Sequence, residues 1–108
     1  MSLKIKQIEH NSTHFELIIE GILDISTRSA FDQAFQQMES IDKLEIDLKN
    51  LEFIDSTGIG GIMDIIFASQ EQSFKLSINN MNLEIEEIFN TLGMFKIMES
   101  LQVERCRT

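Results

Sequence analysis

The sequence predicts an α/β fold: a four-stranded mixed sheet with helices mainly on one face, in the order β-β-α-β-α-β-α-α. Three observations carry this. Apolar residues alternate over Phe15, Leu17 and Ile19, and again over Leu44, Ile46 and Leu48. From Ser26 the apolar period changes from two to about 3.6 residues. The strands alternate rather than running continuously apolar, the mark of a sheet covered mainly on one side.

Leu3 and Ile5 open a short first strand, and His10-Asn11-Ser12-Thr13 turns the chain into the second, which Gly21 ends. Ala30, Phe31, Ala34, Phe35 and Met38 then share one helix face, with Ser26 or Thr27 capping its first turn. In the third strand Leu44, Ile46 and Leu48 lie opposite Glu45, Asp47 and Lys49. The second helix starts near Ser56, where Ser56 or Thr57 is the natural N-cap; Ile59, Ile62, Met63, Ile66, Phe67 and Gln70 follow at helical spacing. Phe74, Leu76 and Ile78 make a fourth strand. A third helix turns Ile85, Ile88, Phe89 and Leu92 inward and stops at Gly93, and residues 94–101 continue as a short final helix. Two strand–helix–strand units imply parallel pairing, while the first hairpin supplies an antiparallel pair.

Residues 1–108 read as one domain, since no proline-rich or low-complexity linker interrupts them. Nine basic residues against eighteen acidic ones give a net charge of −9. Such a surface repels phosphate backbones and anionic lipid, which argues against direct nucleic-acid binding and lipid-headgroup binding. Charge alone reads most simply as solubility, although it would suit a partner with a basic docking face. Cys106 is the only cysteine, so no internal disulfide is expected. Met1 to Ile5 carry no signal-peptide pattern, and the apolar-rich stretch 59–68 is too short and too interrupted for membrane insertion. A cytoplasmic location is expected.

The segment from Asn50 to Gly61 carries most of the functional information. Ser56 and Thr57 stand at a helix N-terminus, where unpaired N–H groups and the helix dipole favour added negative charge. Gly58, Gly60 and Gly61 occupy the first turns, although each costs roughly 1 kcal/mol relative to alanine in a helix interior. Close approach by another backbone is one reason to accept that cost. Local physics alone favours Ser56 as a plain cap over Ser56 as a modification site. A second feature is that Gly58, Gly61, Ile65 and Ala68 form a small apolar stripe apart from the main buried face. The stripe reads as a docking surface for another protein, with burial under a neighbouring element as the alternative.

Ile46-Asp47-Leu48 and Phe53-Ile54-Asp55-Ser56-Thr57-Gly58-Ile59-Gly60 resemble the signature of STAS domains of the anti-sigma factor antagonist family. Glu20-Gly21-Ile22-Leu23-Asp24 resembles the family's Gly-x-Leu-Asp turn, and Leu92 to Met98 its late Gly-Leu segment. The resemblance covers nearly the whole chain and implies a non-enzymatic partner switch. Unmodified, such a protein binds an anti-sigma factor that is also a serine kinase with a histidine-kinase-like ATPase fold. That kinase phosphorylates the serine after the Asp, here Ser56, and a serine phosphatase resets it. ATP and magnesium belong to the kinase, so no cofactor is expected on this chain. Asp24 and Asp55 become acidic neighbours that shape recognition, and Thr57 a backup acceptor. Asp24, Asp55, Ser56, Thr57, Gly58, Gly61 and Ile65 together form the expected partner-binding surface. Ile59 in place of leucine is a conservative departure from the commonest pattern. The Gly60-Gly61 pair is a larger one, bearing on helix flexibility and partner choice.

Other chemistries lack their residues. A nucleophile elbow needs glycine where Ile54 stands, and no Walker A or complete dinucleotide fingerprint is present. His10 and His14 read as surface residues near the first turn, and no Cys/His cluster offers metal ligands. Glu84, Glu86 and Glu87 read as a solvated helix start, and Met81, Met94 and Met98 as core filler. Three functions remain: an anti-sigma factor antagonist, a STAS partner switch controlling a non-sigma effector, and a STAS adaptor subunit of a membrane transport complex.

Overall fold

The alternating segments pair as the sequence predicts, and two further short strands extend the sheet. The computed structural model describes residues 2–106. Its elements are β1 (Leu3–Asn11), β2 (His14–Leu23), α1 (Arg28–Gln36), β3 (Lys43–Asp47), β4 (Leu51–Ile54), α2 (Ser56–Glu71), β5 (Lys75–Asn79), α3 (Leu83–Thr91), α4 (Met94–Ser100) and β6 (Glu104–Cys106). The spatial order is β1-β2-β3-β5-β6, with β4 paired to β2 off that path. Among the described residues only β1 and β2 pair antiparallel; β2 pairs in parallel with β3 and β4, β3 with β5, and β5 with β6.

The sheet thus has six strands among the described residues rather than four. The additional two are short and carry no period-two signal. In β4, Leu51 and Ile54 are buried while Glu52 and Phe53 are exposed; in β6 all three residues are exposed. Gly21 does not end the second strand, which continues to Leu23 through an irregularity where pairing passes to β4.

Core-facing residues fall where the periodicity places them. Leu17, Ile19, Leu44, Ile46 and Ile78 from the strands meet Phe31, Ile62, Ile66 and Phe89 from the helices, all fully buried. Full burial of side chains this size contributes roughly 1.5–3 kcal/mol each. Met94 and Met98 are buried and Met81 is packed against the core, as expected of filler. Gly93 stops α3 at φ 71°. Leu92, read as inward, is instead 54% exposed, and Ala30, placed on the apolar face of the first helix, is exposed as well; Phe67, which shares the helical spacing of the second helix, is 51% exposed. Leu92 lies at the C-cap of α3, past its last helical residue, where the chain turns to Gly93.

The opposite face of the sheet is polar. Asn11 Oδ1 accepts from the backbone N–H groups of Thr13 and His14, both at 2.9 Å, closing the hairpin turn. His10 Nε2 lies 3.0 Å from Glu16, and His14 Nε2 lies 2.7 Å from Glu45 on β3. The hydrogen bond from His14 holds the Glu45 carboxyl below its ordinary range, against the opposing effect of burial; Lys43 and the two histidines add to the lowering.

These burials set an expected contrast. Phe31→Ala should cost about 3–5 kcal/mol, and Phe67→Ala no more than about 0.5 kcal/mol, by urea unfolding of each variant.

Candidate functional site at the start of the second helix

β4 runs parallel to the end of β2 and delivers Asp55 beside Leu23 and Ile25. The Asp55 N–H donates to the Leu23 carbonyl at 3.3 Å. Asp55, not Ser56 or Thr57, is the N-cap of α2, because its extended backbone turns the carboxylate back over the first turn. Asp55 Oδ1 accepts from the Gly58 N–H at 2.8 Å, and Oδ2 accepts from the Ile25 N–H at 3.1 Å. One carboxylate therefore ties the start of α2 to the loop after β2.

That displacement frees Ser56. Its side chain is exposed at the first position of α2 and makes no hydrogen bond among the described residues. Thr57 is half-buried, and its carbonyl accepts from Arg28 Nη1 at 3.0 Å. Of the two hydroxyls, Ser56 is the accessible one.

Asp24 lies in the same loop but is only 6% exposed. Its Oδ1 accepts from the Ser26 N–H at 2.9 Å, the Ser26 hydroxyl at 2.6 Å and the Thr27 hydroxyl at 3.3 Å. The Ser26 hydroxyl bond is the main reason its pKa is lowered; burial opposes it, and the Ser26 and Thr27 backbone bonds assist. Asp24 thus organises the loop rather than presenting a carboxylate to a partner. Neither Ser26 nor Thr27 caps α1 as expected: Thr27 holds the N-cap position with no side-chain cap bond, its hydroxyl donating to the Ile22 carbonyl at 2.8 Å.

The small-residue stripe does not form a docking face. Gly58, Gly61 and Ile65 are all buried. A Cβ on Gly58 would overlap the Leu23 carbonyl oxygen and approach Ile54 Cγ1 to 2.7 Å. At Gly61 it would meet Arg28 Cδ at 3.1 Å and Phe31 at 3.2 Å. The glycines admit β2 on one side and α1 on the other, so the stripe is internal packing. Exposed in this region are Ser56, the apolar Ile25 at 77% and Phe53 at 50%, and the polar Ser26 and Glu52.

A family model described as "Mlab, STAS domain" matches residues 7–101. The chain belongs to the STAS domain family. Among curated proteins it is 28% identical to the anti-sigma F factor antagonist of Paenibacillus polymyxa, over 91% of this chain and 86% of that protein. It is 25% identical to the anti-sigma-B factor antagonist of Listeria monocytogenes, over 96% and 93%. Its fold resembles that of the Bacillus cell fate determinant SpoIIAA in the phosphorylated form, with a TM-score of 0.67, 14% identity, and coverage of 97% and 91%.

Within this STAS domain, sequence reasoning missed Arg28. Its Nε bonds Asp32 at 3.1 Å, its Nη1 the Thr57 carbonyl, and its Nη2 Asp64, so it clamps α1 to the first turns of α2. Asp32 is the main cause of its raised pKa, with burial opposing and Asp64 assisting. The residue lies outside the Asp-Ser-Thr-Gly segment, and only its i, i+4 spacing to Asp32 marks it. No helix among the described residues is long and apolar enough to cross a membrane.

Two outcomes test this geometry. Gly58→Ala should destabilise by about 3 kcal/mol, at the upper end of overpacking costs, whereas Gly60, which faces only Arg28 Nη1 at 3.2 Å, should accept alanine at far smaller cost; urea midpoints compare them. Because the folded pKa of Asp24 is lowered, its stabilisation is present above the ordinary carboxylate range and disappears as pH falls through the folded value. Asp24→Asn should therefore flatten the acid limb of a Tm-against-pH curve.

Proposed function

We propose that this STAS domain is an anti-sigma factor antagonist switched by phosphorylation of Ser56. In the unmodified form it docks to an anti-sigma factor that is also a serine kinase; phosphorylation releases it, and a serine phosphatase restores it. The nucleotide and magnesium are the kinase's, the reaction needs no catalytic group here, and the exchange takes place in the cytoplasm. The single observation that carries this reading is the exposed, unpartnered Ser56 hydroxyl at the head of α2, a helix end held by Asp55. The named functions of the Paenibacillus and Listeria relatives support it.

The physics of release follows from charge. A phosphoserine adds roughly −1.5 to −2 beside Asp55 on a chain that already carries −9. The dipole at the head of α2 offsets part of that charge within the domain, by about 0.3–1 kcal/mol. A docking partner receives no such compensation. Ile25 and Phe53, apolar and exposed beside the loop, supply contact area that the phosphate would keep apart from the partner. The effect is lost docking with the fold retained.

With the cognate kinase and ATP, intact-mass spectrometry should show one added phosphate, absent in Ser56→Ala; undiminished phosphorylation of that variant would contradict the site. Ser56→Asp should weaken kinase binding at least tenfold, about 1.4 kcal/mol, by calorimetry at unchanged Tm. Wild-type affinity would remove the repulsion mechanism.

A further inference from the structure

We propose that His10, His14 and Glu45 form a binding site for a divalent transition-metal ion such as zinc, on the face of the sheet opposite the core. A ligand atom from each of the three lies within 4.8 Å of the other two. Zinc bound to imidazole and carboxylate at roughly 2.0–2.2 Å holds its ligands about 3.3 Å apart. His14 Nε2 and Glu45 Oε2 are at 2.7 Å, sharing a position that the ion would take over. The His10 ring lies 4.5 Å from that of His14, centroid to centroid, tilted by 35°. Its side chain is 40% exposed, which leaves room for the small rotation that closes the set and for a water ligand.

Topology explains why three residues far apart in sequence converge. The hairpin turn sets β1 against β2, and an irregularity between Glu9 and Asn11 leaves His10 as the extra residue, on the side of His14. Glu45 comes from the parallel neighbour β3, where it pairs with Glu16. Outer partners are in place as well. Glu16 bonds His10 Nε2, so Nδ1 is the nitrogen that this ring would offer an ion while keeping that bond. Asn79 Nδ2 lies 3.4 Å from Glu45 Oε1, and Ser77 in turn bonds Asn79. Two neutral imidazoles and one carboxylate suit zinc and its first-row neighbours, not magnesium or calcium, which take all-oxygen sets. The site sits at the start of β2, whereas Ser56 lies beyond the other end of that strand, so it is independent of the phosphorylation reading. An ion there would staple the β1–β2 hairpin to β3.

Titration calorimetry of the tag-free full chain with zinc chloride at neutral pH should show one ion bound per chain, and none with magnesium chloride. His14→Ala and Glu45→Gln should each weaken zinc binding at least tenfold, with the fold checked by circular dichroism. The exposed His10→Ala change should do the same without touching the core. Cobalt(II) should give the intense visible absorption of a four- or five-coordinate centre, lost in the same variants. Cys106→Ser should leave binding unchanged. Absent zinc binding, binding unchanged in a His10→Ala/His14→Ala double variant, or binding that disappears with Cys106→Ser would each overturn the proposal.

Discussion

The Asp55 carboxylate satisfies two backbone N–H groups that have no other strong partner, Gly58 at the head of α2 and Ile25 in the loop after β2. Hydrogen bonds to an ionised acceptor are roughly twice as strong as neutral ones, and an N-cap acid is worth about 0.5–2 kcal/mol. The larger consequence is positional. With Asp55 in the cap, Ser56 is moved one place into the helix and its hydroxyl is left to solvent. A serine in the cap position would spend that hydroxyl on the helix.

Several neighbours exist to let this bond form. Gly58 lets α2 start in contact with the Leu23 carbonyl, a distance no side chain permits. Asp24 gathers Ser26 and Thr27 so that the Ile25 N–H points to Asp55. Arg28 draws α1 over Gly60 and Gly61 and holds the Thr57 carbonyl. Asp32 and Asp64 thus meet on the Arg28 guanidinium, while Asp55 separately holds the head of α2. The site is rigid because polar groups on three elements satisfy one another, and the exposed serine is the part left over.

How much of this was legible in the sequence varied with the signal each element carries. Strands β2, β3 and β5 announce themselves by alternation, and α2 and α3 by buried positions such as Ile62, Ile66, Ile85 and Phe89. β4 and β6 do not, since four and three residues are too few to show a period. The Gly58–Gly61–Ile65 stripe was visible, but a smooth apolar face looks the same whether another protein or α1 covers it; Phe31 and Arg28 decide the matter. Ser56 was found through its segment, while the role of Asp55 as cap depends on an extended backbone that residue identity alone does not specify. The His10–His14–Glu45 cluster was illegible because spacing of four has no meaning across a hairpin, and Glu45 arrives from another strand.

On the proposed function, charge on Ser56 changes the surface and leaves the scaffold intact. Amide hydrogen exchange on the Ser56-phosphorylated and unmodified chains measures this directly. Altered protection is expected only at residues 24–28 and 55–60, with β2, β3 and the rest of α2 unchanged. Loss of protection along the whole of α2 or across the sheet would show that the modification works by unfolding, and would contradict it.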